Sequence, residues 1–346
     1  MLRVHSALRS LSPGYFALVM ATGVVSIGLR VDRRPVLSRV LLAITALSFV
    51  VLLLLTVWRF VSHRHELIED FTHPLSGFGF YSFVAAANVL GARLAMGGWR
   101  LVPLALLLVS AVAWLLRGYA VPWTTHLGSD EHPIVAAANG TWFMWAVAGQ
   151  SIAVAAATLQ PDWGHSGLAL GAVVAWSLGV FLYAVDGVFV AMRLLAYDFS
   201  SRDLTPPYWV AMGAAAITVL AGAKIATMVD DPGLRGMAGW IGSCAMVFWA
   251  IASWLVPALF AMGWWRHVTH RIPLRYDANL WCIVFPLGMY AVACDYLGRV
   301  DGLVLLDRIG AVWTWVAFAA WLLALAGMVV HIVRTVVIGA AAAPEM

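Results

Sequence analysis

The stretch NLWCIVFPLGMYAVACDYL, residues 279–297, decides how the rest of this sequence is interpreted. It is apolar and long enough to cross a bilayer as a helix, which takes about 20 residues. Its first half nevertheless contains Phe285, Pro286 and Gly288, and proline and glycine are unfavourable in a helix that is surrounded by lipid. We therefore predict that this helix faces something other than lipid. The working hypothesis is that it is one of five similar helices around a polar path, with Phe285 directed into that path.

The composition of the whole chain is that of a polytopic membrane protein. Of its 346 residues, 63% are hydrophobic and 11% are charged, whereas soluble domains have roughly 25% charged residues. Apolar runs cover nearly the whole length, so we predict a single transmembrane domain over residues 1–346. The net charge of +4 is spread over many loops. No dense basic run is present, and nucleic acid is therefore not an expected partner.

Apolar runs of about 20 residues, separated by charged or Pro/Gly-rich breaks, predict ten membrane spans. The predicted spans are 13–30, 36–58, 74–96, 99–117, 134–158, 165–192, 206–228, 237–262, 279–298 and 309–334. We expect the first span to be retained and not cleaved as a signal peptide, because further spans follow it. An even number of spans puts both termini on the same side of the membrane. Lysine and arginine are divided almost evenly between the two sides, so the positive-inside rule does not decide the orientation.

Odd-numbered and even-numbered spans differ in their content of proline and glycine. The second and fourth spans lack glycine and are rich in leucine, valine and alanine, as expected of helices that touch lipid. Each odd span has interior glycines and a proline near its start or in its first half. These prolines are Pro13, Pro74, Pro133, Pro206, Pro207 and Pro286. Small residues also permit ordinary helix packing, but their regular recurrence predicts five helical hairpins, each with an inner and an outer helix.

Five segments of the odd spans together resemble one known family. They are SPGYFALVMATGVVSIG, FGFYSFVAAANVLGARL, NGTWFMWAVAGQSIAV, YWVAMGAAAITVLAGA and FPLGMYAVA, in this order along the chain. The sequence is similar to the tellurite-resistance/dicarboxylate transporter family. That family includes bacterial tellurite-resistance proteins, yeast malate permeases, fungal sulfite efflux pumps and plant slow anion channels.

The resemblance implies both an architecture and a function. The fold is all-α and integral to the membrane, with ten transmembrane helices as five helical hairpins in a quasi-fivefold ring around a central pore. A phenylalanine of the ninth helix closes the pore, and this position matches Phe285. The implied substrates are small anions, namely C4-dicarboxylates such as malate, sulfite, tellurite or inorganic anions. A homotrimer in the cell membrane with cytoplasmic termini is expected.

The two ends of the path are predicted from the direction of the helices. Because the odd helices run parallel, their N-terminal ends meet at one mouth, where helix dipoles attract anions. Arg30, Arg93, Lys224 and Arg299 lie near the opposite ends. They could form a second anion-attracting mouth, or they could cap helix ends and reach the headgroups.

Further residues of the odd spans are candidates for the lining of the pore. They are Phe16, Phe83, Asn88, Phe143, Gln150, Gly213, Pro286 and Gly288. For the two amide side chains, hydrogen bonds between helices are an equally good explanation.

Asp186 is the most deeply placed carboxylate of the predicted spans, and an ionisable group at that depth is a functional candidate. In a proton-coupled carboxylate carrier it would bind the proton. A passive pore needs no such group. A structural hydrogen bond, or a partner such as Arg193, is the alternative explanation of its position.

We expect no disulfide framework, no metal and no cofactor. Cys244, Cys282 and Cys294 all lie in apolar spans, and two histidine pairs lack further ligands at a suitable spacing. The pairs are His63 with His65 and His126 with His132. No catalytic motif was found, so transport is favoured over an integral-membrane enzyme, and the Pro/Gly pattern disfavours a purely structural membrane protein.

Overall fold

A computed structural model describes residues 11–73, 77–121, 134–164, 166–228 and 236–337. Within these ranges the chain is helical and contains no strand. Ten of the described helices are long and apolar enough to cross a bilayer, which confirms the predicted fold class of a ten-span α-helical membrane protein. Pro74, Pro133, His126 and His132 lie outside the described residues.

We number the ten long helices α1 to α10 in chain order. The odd-numbered ones are α1 (Phe16–Val31), α3 (Tyr81–Ala95), α5 (Met144–Trp163), α7 (Val210–Ala226) and α9 (Trp281–Asp301). The even-numbered ones are α2 (Pro35–Ser62), α4 (Leu101–Val121), α6 (Ser166–Ala196), α8 (Ala238–Trp264) and α10 (Val304–Ile332). Helices α8 and α10 continue as π-helical segments, Trp265–Thr269 and Val333–Val337. A short additional helix, Arg64–Thr72, follows α2.

Burial separates the two sets of helices clearly. In the most apolar stretch of each helix, 72% to 89% of residues are buried in the odd set, compared with 17% to 39% in the even set. The physical reason is composition, because glycine and alanine let the odd helices approach one another closely. The leucine-rich even helices expose large apolar side chains, which lipid can cover. The odd helices are therefore inner helices and the even ones outer helices.

Each inner helix follows a short 3-10 turn that the sequence analysis did not predict. The turns are Pro13–Tyr15, Gly77–Phe80, Gly140–Phe143, Pro206–Trp209 and Ala278–Leu280. Two of them begin with proline, which has no amide hydrogen to leave unpaired at a helix start. Three of the turns are capped by side chains, each of which accepts a hydrogen bond from a backbone amide. The capping residues are Ser12, Asn139 and Asp277.

The inner helices contact one another in a closed circuit. Helix α1 contacts α3, α3 contacts α5, α5 contacts α7, α7 contacts α9, and α9 contacts α1. The five 3-10 turns contact one another in the same closed order. Each outer helix packs against the inner helix before it in the chain and also touches the next inner helix, with α10 returning to α1. The chain thus forms five hairpins around a ring of inner helices; the quasi-fivefold symmetry of this ring stays a prediction.

Candidate anion path

One side of α9 packs against outer helices. The hydroxyl of Tyr290 is hydrogen-bonded to that of Ser253 in α8, at 2.7 Å. Gly298 lies against Asp307 of α10, since a Cβ added to this glycine would be 2.7 Å from a carboxylate oxygen. At about 100° of rotation per helical residue, these two positions are centred on the side of α9 opposite Phe285. Phe285 therefore faces away from the outer helices.

Two neighbouring inner helices flank Phe285 on either side. Pro286 packs on Gly213 of α7, where a Cβ would lie 2.9 Å from the proline ring. Gly288 packs on Val24 of α1, where a Cβ would lie 2.7 Å from the valine side chain. Phe285 is between these two contacts on the helix surface and is only 1% exposed. Its face of α9 is consequently turned towards the middle of the ring of inner helices.

Helical spacing puts three further residues on the same face of α9 as Phe285. They are Met289, Val292 and Tyr296. The ammonium group of Lys224, near the end of α7, lies 4.4 Å from the centroid of the Tyr296 ring. This contact is roughly three helical turns beyond the contact of α7 with Phe285. Sequence reasoning missed Tyr296, although its spacing from Phe285 along α9 was a usable signal.

The predicted pore-lining phenylalanines contact outer helices. Phe16 and Phe83 are 5.4 Å apart between ring centroids, and each ring is 5.9 Å from that of Phe49 in α2. Phe16 and Phe83 also line an apolar cavity of about 240 Å³ among α1, α2, α3 and α4. Phe143 packs on Tyr183 of α6, at 5.2 Å.

The two predicted amide side chains also make contacts between helices. Asn88 donates a hydrogen bond to Ser151 of α5 at 3.0 Å and accepts one from Ser110 of α4 at 2.9 Å. Gln150 donates to the carbonyl oxygen of Trp176 in α6, at 3.1 Å. These are the interhelical hydrogen bonds that the sequence analysis gives as the alternative, and a pore-lining role for these residues stays a prediction.

The four predicted mouth cations lie at the C-terminal ends of inner helices but differ in their surroundings. Arg30 and Arg299 are exposed. Arg93 is 3% exposed, and its guanidinium donates to the hydroxyls of Ser26 in α1, at 3.0 Å, and Ser38 in α2, at 2.8 Å. None of the four cations forms a salt bridge with another described residue.

Asp186 lies in α6 and is 1% exposed. Its Oδ2 atom has no hydrogen-bond partner among the described residues. The alternative of pairing with Arg193 is wrong, because Arg193 instead donates to the carbonyl of Asp198 and lies 4.0 Å from Asp203.

The loop before α7 is held at the N-terminal side of the ring by Arg266. One guanidinium nitrogen of this residue donates to three loop carbonyls, those of Ser201, Arg202 and Leu204. Within the loop, hydrogen bonds from the backbone amide and the hydroxyl of Ser200 lower the pKa of Asp203. The loop is therefore anchored by hydrogen bonds from Arg266 to its backbone carbonyls, and the carboxylate of Asp203 stabilises a local turn.

Within the described part of the chain, no group of three or more His, Cys, Asp or Glu side chains could hold a metal ion. Cys244, Cys282 and Cys294 are free thiols.

The architecture defines a class: a multi-pass membrane protein built from helical hairpins around a ring of inner helices. The family model described as SLAC1, voltage-dependent anion channel, matches residues 10–329. The chain belongs to this family, which confirms the resemblance seen in the sequence. Its general function is therefore anion transport across a membrane, and a family of channels agrees with the expectation of a transport protein in place of an enzyme.

Individual relatives support a membrane transport role. An uncharacterized membrane protein of Mycobacterium tuberculosis strain H37Rv is 48% identical over 157 residues, which are 45% of this chain and 80% of that protein. Two uncharacterized transporters of Methanocaldococcus jannaschii are similar over most of their length. One is 23% identical over 93% of this chain and 95% of its own, and the other is 22% identical over 92% of each.

Proposed function

We propose that this protein conducts small anions through the middle of its ring of inner helices and that Phe285 is the gate. The observation that supports this most directly is the direction of Phe285, which is opposite to the outer-helix contacts of α9 and between its contacts with α1 and α7. A buried aromatic ring at that position would close a narrow passage. Movement of the Phe285 side chain would open the passage without any change in the surrounding helices.

Anions would be attracted at both ends of the path. At the N-terminal side, the dipoles of five parallel inner helices converge. Three of the first turns are already capped by side chains, so the helix dipoles, more than free amides, would supply this attraction. At the other side, Arg30, Arg93, Lys224 and Arg299 would provide positive charge. Selection would thus depend on charge and pore width, without a tight binding pocket.

The proposed substrates are C4-dicarboxylates such as malate, sulfite, tellurite and inorganic anions, as the family resemblance implies. We also propose a homotrimer in the cell membrane with cytoplasmic termini, on the same basis. The decisive experiment is anion flux through the purified protein in liposomes, measured for chloride, nitrate, sulfite, malate and tellurite in turn. Flux above that of protein-free liposomes for at least one of these anions is expected. The proposal would be contradicted if neither the wild type nor the Phe285→Ala protein gave flux of any of these anions.

A second candidate function is a proton-coupled carboxylate carrier that uses Asp186. It is favoured by the unpaired Oδ2 atom of this deeply buried carboxylate, since a proton bound there would remove the cost of an uncompensated charge. The test is malate flux into liposomes under an imposed pH gradient, for the wild type and for Asp186→Asn. Flux that follows the gradient only in the wild type supports the carrier. Flux that ignores the gradient contradicts it.

A further inference from the structure

Lys224 has a different environment from the other cations at the C-terminal ends of the inner helices. Arg93 is bonded to two serine hydroxyls, and Arg30 and Arg299 are exposed. Lys224 is half-buried. Its ammonium group contacts the Tyr296 ring at 4.4 Å from the ring centroid and forms neither a salt bridge nor a hydrogen bond with the described residues.

Such an ammonium group is incompletely compensated. A cation–π contact compensates only part of the hydration free energy that a cation loses on burial. The neighbouring carboxylate does not complete the compensation, because Asp295 lies against the backbone of Gly310 in α10. Arg299, roughly one turn after Tyr296, lies close enough to Asp295 to offset its negative charge. The ammonium of Lys224 therefore remains the incompletely compensated charge beside Tyr296, and it favours the binding of an anion.

The same contact lies on the proposed path. Tyr296 shares the inward face of α9 with Phe285. In α7, Lys224 shares a face with Gly213, which contacts the side chain of Phe285. A small anion that passes Phe285 would meet the ammonium of Lys224 roughly three turns later, or about 16 Å along the helices.

We infer that Lys224 and Tyr296 form an anion-binding site inside the path and that this site sets the preference of the path for anions over cations. The inference rests on the proposed function. In the structure the ammonium lies on the tyrosine ring, and a passing anion takes the place of this aromatic ring as the partner of the ammonium. A lysine ammonium is a compact point charge without the planar fork of arginine. The site therefore selects for negative charge and small size but discriminates weakly between flat anions, such as nitrate, and tetrahedral ones.

The test is the reversal potential across a planar bilayer that contains the reconstituted protein, with a KCl gradient between the two sides. Lys224→Met and Lys224→Gln are both expected to lower the ratio of chloride to potassium permeability severalfold and to raise the chloride concentration that half-saturates the current. Tyr296→Phe should keep the wild-type ratio because the ring remains. A matched control is Arg100→Met, which removes a cation from the same side of the protein but from an exposed ion pair with Asp162 at the end of α5.

The outcomes separate this inference from the proposed function. If the wild type and Phe285→Ala pass no anion, the proposed function fails, and this site fails with it. If both Lys224 variants insert normally and conduct with the permeability ratio and half-saturating concentration of the wild type, only the site is overturned. A parallel loss in the Arg100→Met control would also overturn it, because the effect would then be one of general charge.

Discussion

Phe285 fits among the inner helices because its neighbour in α7, Gly213, has no side chain. A Cβ added to Gly213 would lie 3.2 Å from the edge of the phenylalanine ring and 2.9 Å from the ring of Pro286. The two helices can therefore approach closely while a bulky aromatic group still faces the middle of the ring. The proposed gate residue Phe285 and the glycine that accommodates it therefore form one packing unit.

At this position, replacement of Phe285 by alanine is expected to raise anion conductance severalfold in reconstituted bilayers. The change removes the bulkiest group from the proposed constriction, and the remaining diameter limits flow through a narrow pore. Single-channel currents would measure it. The matched control is Phe181→Ala on the lipid-facing side of α6, where the side chain is 63% exposed. Equal conductance of the two variants and the wild type, with intact insertion, would remove Phe285 as the gate.

Gly213 offers a second test at the residue scale. Gly213→Ala is expected to destabilise the protein by about 1–3 kcal/mol, the usual cost of overpacking a close contact. Gly171→Ala in α6 is the control, because a Cβ there would meet no atom within 4 Å. Glycine to alanine in an open helical position is neutral or stabilising. Thermal denaturation in detergent compares the two, and equal midpoints would show that α7 and α9 are not packed as described.

At the scale of helices, the first hairpin is joined to α3 by Arg93. Its guanidinium contacts a serine of α1 and a serine of α2, and the two serine hydroxyls donate to each other's backbone carbonyls, each at 2.7 Å. Both hydroxyl oxygens can thus accept hydrogen bonds from Arg93. The buried cation ties three helices together without a carboxylate.

Removal of one of these hydrogen-bond acceptors should weaken the packing of α1 and α2 against α3. Ser38→Ala is expected to destabilise the protein by roughly 1–3 kcal/mol, because a buried charged donor loses a partner. The control is Ser243→Ala, whose exposed hydroxyl donates only to Gly239 of its own helix. Thermal denaturation of both variants in detergent is the measurement. A midpoint for Ser38→Ala that matches the control would mean that the Ser38 hydroxyl does not stabilise the contact of Arg93 with α1 and α2.

For the whole molecule, the outer helices decide what surrounds the ring. They expose large apolar side chains along their length, which lipid or further copies of the chain would cover. We expect a homotrimer of 37.4 kDa subunits when the protein is extracted mildly from its membrane. Native mass spectrometry measures the assembly directly. A monomer that persists across detergents and in lipid nanodiscs would contradict the trimer.

Ten spans, their division into inner and outer helices, and the hairpin order were predictable from the sequence. These features depend on local properties, because length and hydropathy define a span and the recurrence of proline and glycine marks the helices that pack closely. The family was likewise evident from five ordered segments. The gate role of Phe285 was proposed through that resemblance and stays a prediction.

The tertiary structure alone decided where individual side chains point. Asn88 and Gln150 looked like polar groups for a pore, yet both reach outer helices. Lys224 was grouped with three arginines as a cation of the mouth, yet it lies on the ring of Tyr296. The physical reason is that the rotation of a helix about its axis follows from its simultaneous packing against several neighbours, which are distant in the sequence. Hydropathy identifies a membrane helix, but only its contacts decide which face is turned to the middle of the ring.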